Sequence, residues 1–309
     1  MLLLILAPLM VESLHSKFIP RSLSSGTLEE VRTLGAASTP ITYPNLMEIE
    51  GRLNALKVSY PGLVELWTSK ERYGVDSGPC GPAKCLQTFI KITNFTSGAE
   101  SWATQSPTIQ ERPQIFLSGN LHGDEIVGPV TLMTLAEMLL ASLDPRGKDF
   151  NPWIARLVNT RTIVMVVVSN PYGFYANQRW DYAPSQKNDP NRDFAYSLPA
   201  GSECLHTPTA QGINFVWREH LFRLAVTFHG GMESITYEWG SMKHTAAQGG
   251  TTSPDDVAQT ELSNIMGSIA GTYLSHDYTV GRTNDVVYPV EGGMEDWAYA
   301  GASYPPRTR

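Results

Sequence analysis

Residues 113–143, PQIFLSGNLHGDEIVGPVTLMTLAEMLLASL, read in order as an apolar strand, a polar turn and a helix. The run IFLSG is short and apolar, as in a strand covered on both faces. From Gly128 the leucines and methionines of GPVTLMTLAEMLLASL recur at helical spacing, which is the pattern of a helix packed against a sheet. Between them, three residues with ligating or acid-base side chains fall within four positions: His122, Asp124 and Glu125.

The neighbouring sequence repeats this alternation. Upstream, Leu46, Ile49, Leu53 and Leu56 keep helical spacing up to the stop at Pro61-Gly62, and LVELWTSKERYGV and LQTFIKITNF read as strands. Downstream, RTIVMVVVSN is a fully apolar strand, and FVWREHLFRL reads as a helix running into the strand AVTF. Apolar strands alternating with helices predict an α/β fold, with a mixed, largely parallel central sheet flanked by helices.

Polar residues cluster where these strands end. IFLSG leads into His122 and Glu125, IVMVVVS into Asn170-Pro171, and LAVTF into His229. The carboxyl edge of an open α/β sheet is where ligands bind, so three clusters on one edge predict a site. Zinc accepts imidazole nitrogen and carboxylate oxygen, and a catalytic zinc takes three protein ligands. His122, Glu125 and His229 form such a set, with His122 and Glu125 spaced to meet at one ion. The H-x-x-E pattern alone is common and mostly accidental, and His229 in TFHGG adds only modestly to it. His220 reads as a helix-face residue and His244 as part of a polar surface loop.

The chain has 309 residues, of which 42% are hydrophobic and 17% charged, enough for one large core. Its net charge of -7, with no Lys/Arg block, predicts no nucleic-acid partner. The opening MLLLILAPLM is too short to span a bilayer, so residues 1–16 read as a signal peptide without a transmembrane anchor, although no basic residue precedes the leucines. Residues 17–41 read as a linker or short pro-segment and residues 42–309 as one folded domain, expected to be a monomer. Cys80 and Cys85 enclose a Gly-Pro turn that suits a local disulfide, the alternative being a reduced pair. That leaves Cys204 without a partner in the chain. A secreted protein, glycosylated at the Asn94-Phe95-Thr96 sequon, is the matching compartment reading.

NLHGDEIVG, NPYGFYANQR, DPNRDF, FHGG and VVYPVEGGMEDWAY occur in the order found in zinc metallocarboxypeptidases of the pancreatic carboxypeptidase type, and the chain resembles that family over residues 42–304. The resemblance implies an α/β fold around a mixed eight-stranded sheet, one zinc ion per chain, and removal of the C-terminal residue from peptides or proteins. His122, Glu125 and His229 match the family's zinc ligands. Arg179 matches the residue that polarises the scissile carbonyl. Asn191 and Arg192 match the pair that grips the substrate's terminal carboxylate, and Tyr288 the tyrosine that closes over the bound residue. Glu295 falls where relatives that prefer basic residues carry an acid at the base of the specificity pocket.

The sequence departs from the family at its end. The family's general base is a Glu on a strand shortly beyond the Asp296-Trp297 element, and AYAGASYPPRTR, which follows Trp297, contains no acid. The expectation is therefore a domain incomplete at its C-terminus. Two readings stay open: a partial copy of a working carboxypeptidase, or an inactive relative that binds zinc and peptide C-termini without cleaving them.

Overall fold

The computed structural model describes residues 2–6, 43–96, 112–182, 188–196, 204–270, 272–273 and 276–301. The expected linker at residues 17–41 lies outside these.

The first helix, α1 (Leu46–Ser59), starts where its sequence says it should. The Asn45 side chain accepts from Glu48 N at 3.0 Å and the Glu48 carboxylate accepts from Asn45 N at 2.8 Å, so two otherwise orphaned donors are satisfied reciprocally. Leu46, Ile49, Leu53 and Leu56 form its buried stripe. Strand β2 (Val64–Thr68) follows and stops earlier than the strand read over LVELWTSKERYGV. Thr68 and Glu71 form a second reciprocal cap, which turns Ser69–Tyr73 into a short helix, α2, where the sequence reading has continuous strand. The hairpin of β3 (Pro79–Cys80) and β4 (Ala83–Lys84) is closed by the Cys80–Cys85 disulfide, and Cys204 is free.

Strands β5 (Thr88–Ile92) and β6 (Gln114–Gly119) lead to helices α3 (Val127–Ala141) and α4 (Pro152–Thr160). Strand β7 (Thr162–Val166) is buried along its length and is followed by α5 (Pro171–Ala176). Helix α6 (Pro208–Glu219) gives way to β8 (Phe222–Phe228). The sequence reading extends this helix through Leu224. Pairing of Phe222, Leu224 and Ala225 with β6 overrides that local pattern. Strand β9 (Ser234–Tyr237), helix α7 (Asp256–Ala270), a small hairpin of β10 (Thr272–Tyr273) and β11 (His276–Asp277), strand β12 (Thr279–Arg282) and the short helices α8 (Thr283–Val286) and α9 (Met294–Asp296) complete the described fold.

Leu2–Leu6, within the stretch read as a leader, forms strand β1. It runs antiparallel to β8 and parallel to β9, and the eight-stranded sheet has the order β12-β9-β1-β8-β6-β7-β5-β2. The sheet is mixed, with β6 parallel to both β7 and β8 at its centre. Alternate residues of these strands build two apolar layers. Ile90, Leu117, Met165 and Val226 face the layer under α1, α3 and α4. Phe89, Phe116, Val164 and Ala225 face a layer with Trp217, Phe194 and Trp297.

The register aligns the central strands at one edge: Ser118 pairs with both Val166 and Thr227, and Gly119 with Phe228. The segments that carry His122, Asn170 and His229 therefore leave the sheet side by side.

Candidate metal centre and substrate cavity

Three side chains converge at that edge. Glu125 stands between the two imidazoles, with Oε1 2.8 Å from His122 Nδ1 and Oε2 2.8 Å from His229 Nδ1. All three ligand atoms lie within 4.8 Å of one another, and both histidines are buried. Burial by itself would raise the Glu125 pKa, but the bonds from His122 and His229 outweigh it and hold the carboxyl well below its usual range. Burial likewise opposes charge on His122, yet its contacts with Asp189 and Glu125 carry its pKa upward. For His229, burial dominates and the pKa falls. Two imidazole nitrogens and a carboxylate, in a pocket that keeps the acid ionised, are a donor set that fits zinc.

The second nitrogen of His122 is also engaged. Nε2 lies 3.1 Å from Asp189 Oδ1, the arrangement that fixes a ligating histidine's tautomer and leaves Nδ1 for a metal. Asp189 also accepts from Arg179 Nε at 3.0 Å and Asn191 N at 2.9 Å. Arg179 in turn approaches Glu125, with Nη1 3.8 Å from Oε1. The sequence reading does not single out Asp189, although it stands two residues before Asn191 in DPNRDF. Its contact with a histidine 67 positions away exists only in the folded chain.

A cavity of about 290 Å³ opens over the triad, and all eight site residues named from sequence line it. Arg179, Asn191 and Arg192 give it a cationic, hydrogen-bonding wall. Asn191 Oδ1 accepts from Met294 N at 2.9 Å, which ties that wall to α9. Arg192 donates to its neighbour's carbonyl, Asn191 O, at 2.6 Å and reaches the Tyr288 hydroxyl at 3.5 Å. Tyr288 is half exposed and lies under the Arg192 guanidinium, 5.9 Å from it to the ring centroid.

Glu295 also lines the cavity. It is 1% exposed, and its Oε2 has no hydrogen-bond partner among the described residues. Gly240 and Gly293 make the room: a Cβ on either would come within 2.5 Å of a Glu295 carboxylate oxygen. The adjacent Asp296 holds the Gly240 wall in place by accepting from Gly240 N at 2.8 Å and Ser241 N at 2.7 Å. Burial pushes the pKa values of both acids upward. Among the described residues, the carboxylates lining the cavity are Glu125, within the triad, and Glu295.

His244, read as a surface-loop residue, stacks on Trp239 with centroids 4.2 Å apart and contacts the Tyr196 hydroxyl at 2.8 Å.

The zinc carboxypeptidase family matches this chain over residues 87–307, and the chain belongs to that family. It is 30% identical over 195 residues to carboxypeptidase SOL1 of Arabidopsis thaliana, an alignment covering 62% of this chain and 38% of the plant protein. With human carboxypeptidase D it shares 31% over 221 residues, or 62% of this chain and 16% of that much longer one. With rat carboxypeptidase A2 it shares 26% over 291 residues, covering 83% and 59% of the two chains. The fold is similar to that of carboxypeptidase A from Helicoverpa armigera, with a TM-score of 0.61 at 18% identity over 88% of this chain and 67% of that one. Thrombin-activatable fibrinolysis inhibitor gives 0.63 at 15% identity over 91% and 71%. The chain thus spans between 16% and 59% of the length of these curated relatives, less than two thirds of each.

Proposed function

We propose that this chain is the zinc-binding core of a metallocarboxypeptidase that hydrolyses the C-terminal peptide bond of peptides or proteins. The observation that carries the reading is the shared cavity: a His-Glu-His triad and an Arg-Asn pair open onto the same space. His122, Glu125 and His229 would hold one zinc ion, which when bound supplies a Lewis acid and a water whose pKa falls to about 7. Arg192 and Asn191 bind the substrate's terminal carboxylate, because a guanidinium offers two parallel donors to one carboxylate. A chain that continues past the scissile residue has no carboxylate to present there. Arg179 donates to the scissile carbonyl oxygen as negative charge builds on it, and Asp189 keeps that guanidinium on the cavity wall. Tyr288, exposed at the mouth, closes over the bound residue.

Glu295 directs the preference toward a basic C-terminal residue. Its buried oxygen without a partner is matched by a lysine or arginine side chain, whose positive charge would keep the carboxyl ionised despite burial. The compartment is the secretory pathway or the exterior. The Cys80–Cys85 disulfide agrees with this, as does the sequon, where Thr96 Oγ1 donates to Asn94 Oδ1 at 2.7 Å. Among the described residues no helix is long and apolar enough to cross a membrane.

The test is zinc content followed by turnover. The purified chain takes up one zinc, and His122→Ala and His229→Ala each abolish stoichiometric uptake; retention of zinc by both variants refutes the ligand set. Release of C-terminal Lys faster than Phe supports the Glu295 assignment, and a clear Phe preference removes it. Zinc uptake and peptide binding without any release favour the second reading, a binding relative that does not cleave. The observation behind that reading is that, among the described residues, the acids lining the cavity are Glu125, which belongs to the triad, and Glu295.

A further inference from the structure

We propose that Asn120 is a positioning residue for the metal centre, its side-chain amide clamping the loop that carries His122 and Glu125. The inference rests on the zinc reading above. Strand β6 ends at Gly119 and α3 begins at Val127, so the intervening loop has neither ladder nor helix to hold its carbonyls, although His122 O accepts a turn bond from Glu125 N at 3.1 Å. Ile126, at the entry to α3, makes no side-chain cap. Asn120 Nδ2 occupies the centre of this loop and lies 3.0 Å from His122 O, 2.9 Å from Gly123 O and 3.2 Å from Glu125 O. One amide nitrogen thus gathers the carbonyls of both ligands and of the residue after the first. It has two hydrogens for three acceptors, so at least one hydrogen is shared.

The residue type follows from the geometry. Asn120 is fully buried, and its φ of 58° lies in the left-handed region that asparagine tolerates better than most residues. Its own carbonyl accepts from Asn170 N at 3.1 Å, which anchors the clamp to the segment following β7. An amide is neutral, so it shapes the loop without altering the charge of the His-Glu-His set. Aspartate has the same shape but would set an oxygen against three carbonyl oxygens. Glycine would keep the backbone conformation and lose the donor.

The experiment compares the full 309-residue chain with Asn120→Asp and Asn120→Gly. Zinc affinity is measured by competition with a chelator. The visible spectrum of the cobalt(II)-substituted protein reports ligand geometry, and the unfolding midpoint of the metal-free protein reports the fold. The expected result is that at least one variant keeps the metal-free midpoint, binds zinc about 10- to 100-fold more weakly, and shows an altered cobalt spectrum. A purely structural residue would lower the midpoint and leave the spectrum of the folded fraction unchanged, and that pattern overturns the proposal. Zinc affinity within about two-fold of the parent overturns it as well, and loss of the fold in both variants assigns Asn120 to the fold instead. A parent chain that takes up no zinc overturns the metal reading, and the clamp falls with it.

Discussion

At the scale of single residues, the metal centre depends on close approach as much as on its ligands. Gly123, between the two ligands of the β6 loop, has no room for a side chain: an added Cβ would sit 2.1 Å from the Gly173 carbonyl carbon and 2.5 Å from Gln178 O. Both neighbours are main chain, so the loop itself must move. Gly123→Ala is therefore expected to lose zinc uptake, read by metal analysis beside a far-ultraviolet spectrum that still shows a folded α/β protein. Asp189→Asn probes the contact behind His122. The amide oxygen can still accept from Nε2, but the charge that holds Arg179 is gone. Zinc affinity should fall by about ten-fold, as for other residues that orient a ligating histidine. An affinity equal to the parent's would show that Asp189 acts on Arg179 alone.

At the scale of elements, stability is concentrated at caps and at one cross-link. Asn45→Ala removes one half of the reciprocal cap of α1 and should cost about 1 kcal/mol in a denaturant titration. Opening the Cys80–Cys85 bridge with a paired serine substitution should cost about 2 kcal/mol, because the closed loop is short, with a sequence separation of 5. The turn between α6 and β8 adds a pH dependence. His220 Nδ1 lies 2.7 Å from Gln114 Oε1, and burial, reinforced by the positive charge of Lys91, lowers its pKa to about 4. A base whose folded pKa is depressed favours folding in its neutral form. Its contribution is complete above the unfolded value of 6.5 and is lost as the pH falls from there toward 4. Thermal unfolding between pH 7 and pH 4 should therefore slope less steeply in His220→Asn than in the parent; identical slopes would place the titration elsewhere.

At the scale of the molecule, the sheet joins distant parts of the chain. Strand β1 lies between β8 and β9, and its loss would leave two strands with unpaired backbone in the middle of the sheet. A chain lacking residues 1–16 is expected to unfold at a lower temperature than the full chain and to aggregate more readily, as measured by calorimetry and light scattering. The midpoints would coincide if another segment took the same place. The two apolar layers place aromatic side chains on one face, with Phe116, Trp217 and Phe222 in mutual contact, while aliphatic side chains under α1, α3 and α4 cover the other.

The sequence by itself determined what is written in contiguous residues. The stripe of Leu46, Ile49, Leu53 and Leu56, the apolar strands and the polar residues that follow each of them were legible because side-chain periodicity and turn chemistry are local. The eight residues later found around one cavity could be named because each lies in one of five short motifs: His122, Glu125 and His229 through their ligand chemistry at strand ends, and the other five through the family resemblance those motifs carry. The helix over Ser69–Tyr73 and the switch to strand at Phe222 are not legible in the sequence, because a reciprocal cap turns the chain after Trp67 in one case and pairing with β6 outweighs helical spacing in the other. Only the tertiary structure decided that Leu2–Leu6 is an inner strand, that Asp189 meets His122, that one asparagine amide gathers three carbonyls and that Glu295 is cradled by Gly240 and Gly293. Strand order, burial and side-chain direction follow from how the layers pack. Packing brings together residues that nothing in their local sequence marks as neighbours.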